Sequence, residues 1–243
     1  MDKKYYVVGS GIVGCVLARE LADAGAHVIV FERRNHTGGN VYDYKDEHGI
    51  QVHLYGPHIF HTKINRVWEY VTKYCEFKDY NLVCGSVMDG KCVPTSFDFE
   101  SVDVFFPKEA DTIKEHIKMV FGDQKSASVL DMLECEDEYV RMFAQYLYDK
   151  DYAPYTAKQW GISPDKVDRQ IFKRVPVLFS YGSKYFDDPY QAMPVNGYME
   201  LIDNLLDHKN IEVKTGVEAL EHMNIKDNEI YIDNEKIDGT VIY

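Results

Sequence analysis

No stretch of this sequence is apolar for anything near the roughly 18 residues that a membrane-spanning helix needs. A signal peptide is missing from its start too: in MDKKYYVVG the first apolar run already reads as a core strand, so a cytoplasmic protein is expected. The five cysteines (Cys15, Cys75, Cys84, Cys92, Cys135) are odd in number and form no CxxC pair, which points to free thiols in a reducing compartment. Positive charge is scarce. Against 40 Asp and Glu stand 27 Lys and Arg, and the formal charge of −13 argues against nucleic acid as a partner. Repeats and low-complexity linkers are absent. His58 and His61 lie three apart, but no Cys or carboxylate sits at ligand spacing and Gly56-Pro57 breaks the segment, so no metal site is expected. What is present is ample: 243 residues, 45% of them hydrophobic, suffice for a packed core and two lobes.

The chain is organised around Tyr5 to Asn40. An apolar run, Tyr5 to Val8, leads into Gly9-x-Gly11-x-x-Gly14 and then a helical pattern over about Ile12 to Ala24, stopped by Gly25. Val13, Val16, Leu17 and Leu21 are expected on the inner faces of that helix. A second apolar run, His27 to Phe31, ends on Glu32. Each piece has a task in holding a dinucleotide. Gly9 permits the turn, Gly11 admits the pyrophosphate, and Gly14 lets helix and sheet pack closely. The helix N-terminus offers free N–H groups to the phosphates. Glu32, 18 residues after Gly14, is placed to accept from ribose hydroxyls and to repel a 2′-phosphate. Gly38-Gly39-Asn40 would let backbone approach a long cofactor at a second place, which suits FAD; an ordinary glycine-rich turn is the plainer alternative.

Further along, Ile64, Val67, Trp68 and Val71 fall at helical spacing, and Asp89-Gly90 marks a hairpin. Pro107 to Phe121 reads as a helix with Ile113, Ile117, Val120 and Phe121 on one stripe. One or two more helices are expected over Ser126 to Lys150, and Ser163-Pro164 reads as a helix start. Val175 to Tyr190 is strand-like and aromatic. A helix from Tyr198 to His208, a strand Ile211 to Lys214, a hairpin through Asp227-Asn228 and a strand ending at Tyr243 complete the pattern. The expected fold is α/β: an FAD-binding, doubly wound parallel sheet formed by 1–76 and 191–243, with a substrate domain, helical and then strand-rich, inserted at 77–190. KIDGTVIY has the form of a re-entry strand without continuation, and the expectation is a truncated chain.

Two constellations remain. YGPHIFHT (Tyr55 to Thr62) is either a structural histidine pair or a segment set against a flavin ring. In DYAPYTAKQWGISP, Tyr152, Tyr155 and Trp160 are expected in a loop between helices. Interleaved with Thr156, Lys158 and Gln159, they form a stacking surface for a base. Arg174, read as a loop residue, has a planar fork suited to a diphosphate; a surface ion pair is the alternative.

Through GxGxxG…E…GGN, YGPHIFHT, YT-x-KQWG, KR-x-PV, Y-x-x-x-YF and MP-x-x-GY, the whole chain resembles the bacterial UDP-galactopyranose mutases. These flavoenzymes interconvert UDP-galactopyranose and UDP-galactofuranose for cell-wall polysaccharide biosynthesis. The resemblance implies FAD, active when reduced, bound by Gly9, Ser10, Gly11, Gly14, Glu32, Arg33, Gly38, Gly39, Asn40, His58 and Ile59. It implies His61 near the flavin and, with Arg174, among the catalytic residues, and a UDP-sugar held by Tyr152, Tyr155, Thr156, Trp160 and Tyr185. Arg174 would close over the diphosphate on a mobile loop. The implied reaction passes through a covalent sugar adduct at the reduced flavin N5, with no essential general base among the matched residues. A homodimer is compatible with it. Asp151 departs from the pattern, standing where many members have an aromatic residue. Family members also run roughly a third longer, so this chain alone is expected to retain little FAD and to be inactive. The competing readings are an FAD-dependent oxidoreductase of the amine oxidase or desaturase type and a non-catalytic nucleotide-binding fragment.

Overall fold

The two apolar runs near the start pair in parallel, Lys4–Val8 beside His27–Glu32, at the centre of a four-stranded parallel sheet. Ile211–Thr215 lies outside the second and Thr240–Ile242 outside the first. This computed structural model describes residues 3–182, 184–186, 188–226, 229–232, 235–237 and 239–243, without the side chains of 174, 222, 225, 226, 229, 230 and 235. The chain divides into two compact units, one of Met1–Tyr80 with Asp188–Tyr243 and one of Asn81–Asp187. Phe77–Asp79 pairs with Tyr190–Pro194, which in turn pairs with Phe60–Thr62, so this antiparallel sheet belongs to the first unit.

In the first unit, helix Ile12–Asp23 covers one face of the parallel sheet, with Ala18 and Ala22 against Val7, Val28 and Val30. The buried stripe is Cys15, Ala18 and Ala22. Val13, expected inside, is 69% exposed. Small residues let this helix lie close to the sheet, and the close approach selects a stripe one step round from the bulkier one. Leu201, Ile202 and Leu205 of helix Tyr198–Leu206 pack with Cys15, Val71 and Cys75. Buried Asp43 caps that helix from afar, accepting from the backbone N–H groups of Tyr198 (2.8 Å) and Met199 (3.0 Å). The opposite sheet face buries Tyr6, Ile29 and Phe31 against Ala219, with Met223 and Ile232 beside them. Those last two belong to a three-stranded antiparallel sheet, Met223–Lys226, Glu229–Ile232 and Glu235–Lys236. The expected turn at Asp227-Asn228 lies outside the described residues.

In the second unit, Gly85–Met88 and Lys91–Pro94 form the expected hairpin. Helices Phe99–Phe105, Ala110–Phe121, Val129–Glu134 and Glu138–Leu147 follow. Phe97, Ile113, Ile117, Met132, Phe143 and Leu147 are fully buried at their core. Each such side chain contributes about 1.5–3 kcal/mol on leaving water. Val120, expected on the buried stripe, is exposed. Ser163-Pro164 opens only a short 3-10 turn, Pro164–Lys166, in place of a full helix. Among the described residues of 175–189, only Val177–Leu178 is strand, paired with Ser126–Ala127. Aromatic content raised that expectation; here Phe179 packs beside the helical core, while Tyr181 and Tyr185 are exposed. Among the described residues no helix is long and apolar enough to cross a membrane.

Candidate functional site

At the head of the parallel sheet a cavity of about 420 Å³ is lined by Gly9, Glu32, Arg33, Asn40, Val217 and Glu218 among others. Gly11 precedes helix Ile12–Asp23, whose first N–H groups receive no side-chain cap. A Cβ on Gly11 would meet no protein atom within 4 Å, whereas one on Gly14 would sit 2.0 Å from the Gly9 carbonyl oxygen. Gly14 therefore holds helix and turn together, and Gly11 keeps open space open. Gly38 and Gly39 have a task the sequence did not reveal. Gly38 N–H donates to the Ser10 carbonyl (2.9 Å), and a Cβ on Gly39 would lie 2.8 Å from the Gly11 Cα. The second glycine pair packs directly on the first turn.

Glu32 is buried, and protein donors occupy both of its oxygens. Oε2 accepts from the Ser10 N–H (2.9 Å) and hydroxyl (2.7 Å), and Oε1 from the Arg34 N–H (2.9 Å). Burial acts to raise its pKa, but the Arg34 N–H, the two Ser10 donors and the Arg34 charge outweigh it, and the carboxyl sits below its ordinary value. With about four acceptor positions on a carboxylate, one remains for a ligand hydroxyl. A depressed folded pKa means that this stabilisation is complete above the unfolded value, about 4.3, and fades as pH falls through the lower folded value. Glu32→Gln should cost about 1.5–3 kcal/mol at pH 7, because its amide must turn NH2 toward another N–H. In urea unfolding the gap between variant and wild type should shrink as pH drops below about 4. A gap that is constant from pH 7 to pH 3 would rule this out.

Of the two consecutive arginines, Arg33 was singled out from the sequence, yet its side chain is 69% exposed and 4.0 Å from the Glu218 carboxylate. Arg34 was missed. Its Nη2 donates to Asn40 Oδ1 (3.0 Å), its guanidinium lies 4.3 Å from the centre of the Tyr55 ring, and its buried Nη1 has no partner among the described residues. Nothing in the Arg33-Arg34 pair itself tells which of them turns inward. His58 and Ile59 are half-buried, and the Nδ1 of His58, like that of His53, is buried without a described partner. His61 Nδ1 lies 2.5 Å from Asp188 Oδ2.

A second cavity, about 430 Å³, lies wholly within the unit of 81–187. Its wall includes Tyr152, Tyr155, Thr156, Trp160 and Tyr185. These aromatics stand on regular structure: a π-helical turn, Tyr148–Tyr152, runs into helix Ala153–Trp160. The expected loop is thus a helix whose steps of four, Asp151–Tyr155 and Tyr152–Thr156–Trp160, turn these residues to one side. Tyr155 and Trp160 are 60% and 53% exposed, while Thr156 is buried. Tyr152 is buried too, with its hydroxyl donating to the Val175 carbonyl (2.8 Å). Burial first, and then the charge of Asp151, push its phenol up, so it remains a donor. Arg174 closes the 3-10 helix Arg169–Arg174, not a loop, and its side chain lies outside the described residues.

Fold and motifs define a class: a dinucleotide-binding α/β protein with an inserted, mostly helical unit. Residues 7–74 match a family described as an NAD(P)-binding Rossmann-like domain, and residues 150–243 match the family described as UDP-galactopyranose mutase. A probable UDP-galactopyranose mutase of Klebsiella pneumoniae is 34% identical over 220 residues, 90% of this chain and 57% of the relative. A dTDP-fucopyranose mutase of Escherichia coli is 36% identical over 216 residues, 88% of this chain and 56% of the relative. A solved structure of reduced UDP-galactopyranose mutase shares the fold with a TM-score of 0.66 at 13% identity, over 99% of this chain and 55% of that one. The chain is similar to UDP-galactopyranose mutases over most of its own length, and it spans little more than half the length of the curated relatives it matches.

Proposed function

We propose that this chain holds FAD along Gly9–Asn40 and a UDP-hexose against the Asp151–Trp160 segment. In this reading it serves the interconversion of UDP-galactopyranose and UDP-galactofuranose in the cytoplasm. The observation that carries the reading is the second cavity. Two half-exposed rings, Tyr155 and Trp160, line it beside Thr156, within the residues that match the mutase family and outside those that match the general dinucleotide fold. An oxidoreductase that shares only the first domain has no need of such a wall.

The residues present suit FAD. Open space stands in front of Gly11, the helix behind it is uncapped, and Arg34, His53 and His58 each keep one buried nitrogen without a described partner. A buried polar atom left unpaired costs about 1–3 kcal/mol, which a bound polar group would relieve. Reduced FAD, when bound, supplies the nucleophile for the anomeric carbon as the diphosphate leaves. The chain's own share is to bind and to orient. The helix N-terminus would hold the cofactor pyrophosphate, the Glu32 cluster its ribose, and Tyr155 and Trp160 would stack the base of the nucleotide sugar. Arg174, assigned by its motif, neutralises the departing diphosphate.

Titrating the purified chain tests this directly. Added FAD should be quenched on binding, weakly enough that little is retained through purification, and calorimetry should show saturable binding of UDP and UDP-galactose. Comparing UDP with dTDP decides between the nucleotides of the two kinds of relative. A chain that binds FAD but none of these nucleotides would sink the nucleotide-sugar reading and leave an oxidoreductase of the amine oxidase or desaturase type.

A further inference from the structure

One acidic side chain in the second cavity has been given no role of its own above. Asp151 lies in its wall, in the π-helical turn Tyr148–Tyr152, one turn ahead of the Tyr155 ring. Its Oδ1 accepts from the Ser86 hydroxyl on strand Gly85–Met88 of the hairpin. Its neighbours in sequence are engaged elsewhere: Lys150 Nζ with Asp89 Oδ1 (2.7 Å) and Asp149 Oδ1 with Gln145 Nε2 (2.8 Å). No Lys, Arg or His is among the described residues that line the cavity, and Asp151 is the one acidic side chain among them. Its carboxylate is thus anchored at one oxygen and uncommitted, among the described residues, at the other.

A carboxylate only accepts hydrogen bonds, and its charge repels phosphate. This end of the cavity therefore suits a base and turns a diphosphate away. A base stacked on Tyr155 presents its hydrogen-bonding edge sideways, toward a residue one helical turn along. Uracil and thymine carry a ring N3–H on that edge. Cytosine carries a bare ring nitrogen at the same place, as adenine does at N1; its lone pair would face a negative oxygen, and the exocyclic amino group beside it could donate only from an offset position. Guanine places two donors side by side, but the Ser86 hydroxyl already takes one of the two oxygens they would need.

Resting on the nucleotide-sugar reading, we propose that Asp151 is a specificity-determining residue. It accepts the N3–H of a uracil or thymine base, and it disfavours cytosine and adenine. Ser86 is its positioning residue.

Calorimetric titration of UDP, 3-methyl-UDP and CDP into the full chain tests the assignment. Methylation removes the N–H, while CDP removes it without added bulk. Wild type should bind UDP about 10- to 100-fold more tightly than either analogue, the range for a hydrogen bond to a charged group. Asp151→Ala should bring both ratios close to one, and Ser86→Ala should reduce them less. Equal affinity of wild type for UDP and both analogues would overturn the proposal while leaving the nucleotide-sugar reading standing, and so would ratios that survive in Asp151→Ala. The wild-type comparison decides even if that variant fails to fold. Failure of all three ligands to bind would overturn the reading and the proposal together.

Discussion

Gly14→Ala is expected to destabilise the first unit by about 3 kcal/mol or more, the upper end of the cost of overpacking. The added methyl would lie 2.0 Å from the Gly9 carbonyl oxygen, 3.1 Å from its carbon and 3.4 Å from Val7 Cγ1. Two of those three atoms are backbone, so no side chain can swing away to relieve the contact. Either the helix must lift off the sheet, uncovering Ala18 and Ala22, or the Gly9 peptide must move and weaken its 2.7 Å hydrogen bond to the Phe31 carbonyl. For a chain of this size each kcal/mol shifts the melting temperature by about 2–4 °C, so a fall of about 6–12 °C is expected.

Gly11→Ala is the matching control. Its methyl would meet no protein atom within 4 Å, and the backbone there, at φ −65° and ψ 172°, suits any residue. The melting temperature should stay nearly unchanged while FAD binding is lost, because the methyl would fill the space assigned to the pyrophosphate. Thermal melts without ligand, with FAD titrations beside them, separate the two effects. If Gly11→Ala still bound FAD with wild-type affinity, the cleft would be assigned wrongly, whatever Gly14 did.

The contrast between these glycines shows which parts of the molecule were legible in the sequence. The order of strand, glycine triplet, helix, strand and acid is local, and the spacing of its parts follows from their geometry. That order predicted the parallel core and the place of Glu32. Contacts made across long stretches of chain left no such trace. Asp43 caps a helix 155 residues away, and capping rules apply only to the residue next to the helix. Gly38 and Gly39 read as a second approach to a ligand; that they also pack on Ser10 and Gly11 was not visible, because a pairing between two loops has no period to detect. Just ahead of helix Ala153–Trp160 the π-helical turn Tyr148–Tyr152 breaks the 3.6-residue spacing. A regular face of Asp151, Tyr155, Thr156 and Trp160 therefore looked like an irregular loop.

That face carries the second large effect. Tyr155→Ala and Trp160→Ala should each weaken UDP binding about 10- to 100-fold, since stacking a base on an aromatic side chain is worth about 1–3 kcal/mol. Their half-exposed rings contribute little to the core, so the melting temperature should hardly move. Tyr152→Phe makes the opposite prediction. It removes the donor to the Val175 carbonyl and leaves the ring in place, so stability should fall by about 1 kcal/mol with UDP affinity nearly intact. Two rings that hold one base act as a unit, so the double variant Tyr155→Ala/Trp160→Ala should lose less than the sum of the single losses. Strictly additive losses would mean that the rings hold separate parts of the ligand. No loss from either substitution would remove the base from this cavity, leaving the helix a mere wall of the inserted unit.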